Sequence, residues 1–101
     1  MPIACSLTAD AADVRIEEWR HFLVASVDAA ERTSAQLFRM HLTSTTVLAA
    51  AVDLARREEA CCDFYEFSID IEADALWLSV RVPAEASGVL DDFARLLPSD
   101  S

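Results

Sequence analysis

Tyr65-Glu66-Phe67-Ser68-Ile69-Asp70-Ile71-Glu72, then Ala73-Asp74, then Ala75-Leu76-Trp77-Leu78-Ser79-Val80-Arg81-Val82, is the stretch that decides the fold. Tyr65, Phe67, Ile69 and Ile71 alternate with Glu66, Ser68, Asp70 and Glu72. After the Ala73-Asp74 turn, Leu76, Leu78, Val80 and Val82 alternate with Trp77, Ser79 and Arg81. A period of two puts one set of side chains on one face of a strand and the other set opposite. The two runs therefore predict a hairpin with one apolar face and one polar face, and the apolar face needs a cover.

Working outward, helical spacing supplies that cover. On the N-terminal side, Val47, Leu48, Ala51, Leu54 and Ala55 form a stripe that runs to about Cys62, with Thr43-Ser44-Thr45 as its N-cap. Before it, Ala35 to Leu42 alternates, with Phe38, Met40 and Leu42 against Arg39 and His41, and predicts a strand. Asp28 to Ser34 reads as a polar connection. A first helix is expected from an N-cap at Thr8 to about Ala29, with Ile16, Trp19, Leu23 and Val27 inward and Asp13, Glu17 and Arg20 in water. Ile3 to Leu7 reads as a short strand. Beyond the hairpin, Pro83 stops the last strand and Val89, Leu90, Phe93, Leu96 and Leu97 make a short helix. The expectation is an α+β domain over residues 1–98 with a frayed tail at 99–101. Its order is β-α-β-α-β-β-α, with a sheet of three to four strands and helices on one face. From the second strand onward it has the split β-α-β-β-α character of ferredoxin-like folds.

The chain has 101 residues, of which 53% are hydrophobic, so one domain can bury a real core. Its 18 acidic residues outnumber 8 basic ones and give a net charge of −10. Nucleic-acid backbones and anionic membrane surfaces are bound by clustered Lys and Arg, so neither is expected as a partner. No apolar run is long enough to span a bilayer, and Met1-Pro2-Ile3-Ala4-Cys5 does not read as a signal peptide. A cytoplasmic protein is expected.

The chemistry must then lie in the three cysteines, Cys5, Cys61 and Cys62. In a reducing compartment such residues are core hydrophobes, metal ligands or nucleophiles more often than structural disulfides. Cys5 ends the first apolar run and Cys61-Cys62 ends the second helix, so one rim of the layered fold is expected to gather three sulfurs. Three thiolates make a soft, trigonal site suited to Hg(II), As(III) or Cu(I), or to Zn(II) with a fourth ligand. His21 and His41 show no ligand spacing to the pair, and Glu58, Glu59 and Asp63 read as solvated charges at a helix end. Those carboxylates and the negative end of the helix dipole disfavour a bare thiolate, which argues against a catalytic nucleophile. A bound metal brings its own charge and overcomes that field. No catalytic residue is assigned.

Cys5-Ser6-Leu7-Thr8, Arg15-Ile16-Glu17-Glu18-Trp19-Arg20, the run Leu54 to Phe64, and Ala75-Leu76-Trp77-Leu78 with Val80-Arg81-Val82-Pro83 together resemble a small three-cysteine domain of actinomycetes. That domain occurs as stand-alone proteins and as C-terminal extensions of mercury-responsive regulators of the MerR type. The resemblance implies a role related to soft metals, with Cys5, Cys61 and Cys62 carried over. The chain lacks the helix-turn-helix of such regulators, so the role implied is sequestration, delivery or accessory sensing beside a separate regulator protein. The competing reading is a non-enzymatic interaction or dimerisation module, docking through Trp77 and the neighbouring strand edge, with buried structural cysteines. A third is thiol redox chemistry through a vicinal Cys61–Cys62 disulfide.

Overall fold

The computed structural model describes residues 9–62 and 64–97. Helix α1 spans Ala9–Ser26 and passes directly into strand β1, Val27–Ser34. Strand β2 is Leu37–Leu42, and a 3₁₀ turn at Thr45–Val47 leads into helix α2, Leu48–Cys61. Strands β3, Glu66–Glu72, and β4, Ala75–Arg81, follow. A second 3₁₀ turn at Ala84–Ala86 then leads into helix α3, Gly88–Leu96. The expected α+β class holds, with three helices and a four-stranded antiparallel sheet, in the order β1-β2-β4-β3, among the described residues. The strand expected at Ile3 to Leu7, the Thr8 cap and the 99–101 tail lie outside the described residues.

The ferredoxin-like part is visible in the strand directions. β4 is antiparallel to both β2 and β3, so β2 and β3 run the same way with β4 inserted between them. Helix α2 is the crossover that makes this possible, because strands of like direction cannot be joined by a tight turn. Ser44 caps the entry to that crossover by accepting a hydrogen bond from the Thr46 amide.

One expectation is corrected. Asp28 to Ser34 is not a connection but most of β1, and the first helix stops at Ser26 rather than near Ala29. β1 pairs with β2 through Val27↔Leu42, Ala30↔Met40 and Arg32↔Phe38. Every residue of β1 after Val27 is exposed, so no alternation marks it in the sequence. Its pairing comes from the partner strand, and its charges and two register shifts suit an edge that must not recruit another strand.

The core forms where the inward faces meet. Phe38, Met40, Leu42, Leu78 and Val80 of the sheet pack under Trp19, Phe22 and Leu23 of α1, Ala51 and Leu54 of α2, and Val89, Leu90 and Phe93 of α3. Trp19 is fully buried and meets Phe93 edge-on at 5.0 Å and stacks on Phe67 at 5.9 Å. The other sheet face carries the polar set. There Trp77 lies under the Arg39 guanidinium at 4.4 Å, and Arg39 reaches Glu31 on β1 and Glu72 on β3. Trp77 thus sits on the polar face, as its place in the alternation requires.

The β3–β4 turn holds a local conflict. Ala73 adopts φ 52°, a left-handed conformation that its Cβ disfavours. Ala73→Gly is expected to raise stability by about 1 kcal/mol, the strain relieved exceeding the entropy that glycine adds to the unfolded chain. A urea titration at unchanged m-value checks this; an unchanged or lower midpoint contradicts it.

Candidate thiol site

The stripe of α2 that faces the core contains Ala51, Leu54, Ala55 and, one turn further on, Glu58. Glu58 is 0% exposed, which corrects the expectation of a solvated carboxylate at a helix end. A buried carboxylate needs partners, and α1 supplies them. Arg15 Nη1 donates to Glu58 Oε1 at 3.0 Å, and Trp19 Nε1 donates to the same oxygen at 3.1 Å. Arg15 is itself buried on α1, one turn before Trp19. It also lies 3.6 Å from Glu18, whose carboxylate pairs with Arg57 at 3.0 Å, while Arg57 holds Asp53 at 2.9 Å. This network clamps α1 to α2.

The cysteine pair sits at the end of the clamp. Cys61 is the last residue of α2, and Cys62 leaves the helix at φ −136°, ψ 111° while its amide still donates to the Glu58 carbonyl at 2.9 Å. This change of backbone sends the two side chains to different depths: Cys62 is 2% exposed, within the core, and Cys61 is half-buried at its margin. Arg15 Nη1 lies 3.8 Å from Cys61 Sγ, so a guanidinium N–H faces the sulfur that the sequence surrounds with carboxylates. The purely negative field expected there is offset by this contact, and Glu58 is neutralised in the same way. Cys61 is not part of a disulfide, and Cys62 is disulfide-bonded. The bond is therefore not the vicinal one. Reduction of that disulfide is the step that would make Cys62 a ligand.

The remaining candidates separate clearly. Cys5 and Asp63 lie outside the described residues. Glu59 is a backbone partner, accepting from the Phe67 amide at 2.9 Å at the edge of β3. His41 bonds Asp28 on the open sheet face, and His21 lines a groove between α1 and α2. Among the described residues, no three His, Cys, Asp or Glu side chains group as a metal cage. Arg15 is the residue beside the pair that was not legible in the sequence. Its signal was a charge one turn before Trp19 on an apolar stripe, matched by Glu58 on the facing stripe.

Next to the pair, Tyr65 is buried against Phe64 and Phe93. Burial pushes its phenol well above the usual tyrosine range, with the negative charges of Glu58 and Asp92 adding to the effect. Because the folded value is raised, the folded form keeps a proton that the unfolded form loses above about pH 10. Stability should therefore be insensitive to Tyr65 below that pH and fall above it by about 1.4 kcal/mol per unit. The chain has one tyrosine, so Tyr65→Phe should remove this part of the slope. Denaturation series from pH 9 to 11 on both proteins decide it, and equal slopes contradict the burial argument.

Arg15→Met leaves Glu58 charged and buried, and is expected to cost about 3–5 kcal/mol, much of the stability of a domain this size. Arg15→Met with Glu58→Leu removes both charges and should cost less than Arg15→Met alone. Urea titrations of the three proteins test this; a double variant no more stable than Arg15→Met would contradict it. No family model, no curated protein and no solved structure matches this chain.

Proposed function

We propose that the reduced protein binds a soft metal or metalloid ion, Hg(II), As(III) or Cu(I), through the thiolates of Cys61 and Cys62, with Cys5 as the third sulfur that the sequence suggests. The observation that carries the reading is the placement of two adjacent cysteines at the end of α2 with the Arg15 guanidinium against one of them. Thiolate ligands concentrate negative charge, and three of them around Hg(II) leave a net charge of −1. A fixed guanidinium beside the sulfur stabilises that charge where an isolated helix C-terminus would oppose it.

The disulfide at Cys62 sets a condition on this chemistry. It must first accept two electrons and two protons from a dithiol reductant, which breaks the S–S bond and yields thiols. In the cytoplasm, where such reductants are abundant, that is the ordinary state of a cysteine. The protein would then act by sequestering or delivering the ion, or as an accessory to a separate regulator. No helix among the described residues is long and apolar enough to cross a membrane.

A second reading is favoured by one observation: Cys62 is buried and disulfide-bonded. In that reading the cysteines staple the core of an interaction module. One experiment separates the two. The chain is reduced with a phosphine, freed of it, and titrated with arsenite while thiolate-to-arsenic absorbance is followed. The soft-ion reading expects one equivalent per chain, no comparable binding by the oxidised protein, and a loss of at least about tenfold in affinity for Cys61→Ser, about 1.4 kcal/mol. Equal binding by Cys61→Ser and the parent, or none by the reduced parent, transfers the assignment to the structural staple.

A further inference from the structure

The groove between α1 and α2 lies apart from the cysteine pair, and its use depends on no sulfur. The two helices pack antiparallel, with Arg15 beside Glu58 and Glu18 beside Arg57. Facing residues from Asp13 to Ser26 and from Ala50 to Arg57 line an open groove of about 760 Å³. The span of α1 from Asp13 to Ser26, at a rise of about 1.5 Å per residue, makes this groove about 20 Å long, the length of three to four helical turns. Its floor is apolar, with Phe22 and Leu54, and Val14 stands at its side 62% exposed. An exposed valine beside an apolar trough is surface that water solvates poorly.

The margin of the groove is acidic. Asp13, Glu17, Glu18 and Asp53 line it; Arg57 is the guanidinium in the lining, and Arg20 pairs with Glu17 at 3.2 Å beside it, so acids outnumber guanidinium groups four to two. Arg57 is spent in bridging Glu18 and Asp53, which fixes the spacing of the two helices before anything binds. A preformed site avoids the ordering cost of association.

We infer that this groove is a docking site for a basic amphipathic helix of a partner protein. Such a helix lays apolar residues at i, i+3 or i+4, and i+7 along the floor, while Arg or Lys on its flanks meets the carboxylates. The charge pattern selects this occupant over the others. A second copy of the chain would bring one acidic margin against another in a two-fold interface, in a protein already at −10. An anionic membrane would be repelled by the same carboxylates.

The test uses the full chain and a fluorescein-labelled synthetic peptide of 14 residues. The peptide is built from Leu, Ala and Arg with Leu at helical spacing, and a scrambled peptide of the same composition is the control. Fluorescence anisotropy should show binding that weakens with salt, and the scrambled peptide should bind at least about tenfold more weakly. Val14→Ser and Asp13→Arg change exposed side chains without touching the core, and each should weaken the amphipathic peptide severalfold. Amide shifts in NMR spectra should cluster on α1 and α2 facing residues. Equal binding of the scrambled peptide would reduce the effect to unspecific charge attraction and overturn the assignment. So would amide shifts confined to the open sheet face, or contacts in the unliganded chain between residues 1–8 and the groove. A concentration-dependent dimer in sedimentation that Val14→Ser dissociates would give the groove to a second copy.

Discussion

The Arg15–Glu58 pair is the constraint on which the rest of the arrangement depends. Two opposite charges are held out of water, one on each of two helices, and each is paired with the other at that depth. Apolar packing alone tolerates a helix sliding by a few ångströms, because Leu, Val and Phe have no directional preference. A buried carboxylate that takes one hydrogen bond from Arg15 and another from Trp19 permits a single register. Such a pair adds little net stability over an apolar replacement, since desolvating two charges offsets most of their attraction. Its effect here is to fix where α1 lies along α2.

That register has consequences at both ends of the helix pair. Toward the end of α2 it sets Arg15 against Cys61, so the charge around the thiol pair is decided by α1 rather than by the carboxylates nearby in sequence. Away from it, Glu18, Arg57 and Asp53 close over the outer surface and shape the groove. The sheet below is divided just as firmly. Its inner face is covered by all three helices, and its outer face is tied across the strands by Arg39, from Glu31 through Trp77 to Glu72. Glu59 occupies the Phe67 amide at the β3 edge, which removes one backbone donor that another strand could use.

Periodicity made most of this architecture legible in the sequence. The Tyr65–Val82 hairpin, the β2 strand and the stripes of all three helices each have one wet side and one dry side, and the chain repeats that contrast at the spacing its backbone imposes. The cysteines at the end of α2 and the place of Trp77 on the polar face follow from the same periods. Strand β1 was not legible, because an edge strand exposed along nearly its whole length has no contrast to display; its hydrogen bonds come from β2. The burial of Glu58 was not legible either. A carboxylate in water and a carboxylate paired in a core are the same letter, and the difference lies in a residue 43 positions away.

The sequence by itself therefore determined the class of fold, the inward faces and the position of the vicinal cysteines, since these are local properties of a chain with a fixed rise and twist. Only the tertiary structure decided that Arg15 faces Cys61, that Cys62 is buried and disulfide-bonded, and that the outer surfaces of α1 and α2 form an acid-lined groove. Those are matters of which distant residues meet. Coulomb attraction and desolvation act through space at a few ångströms, and spacing along the chain carries no record of them.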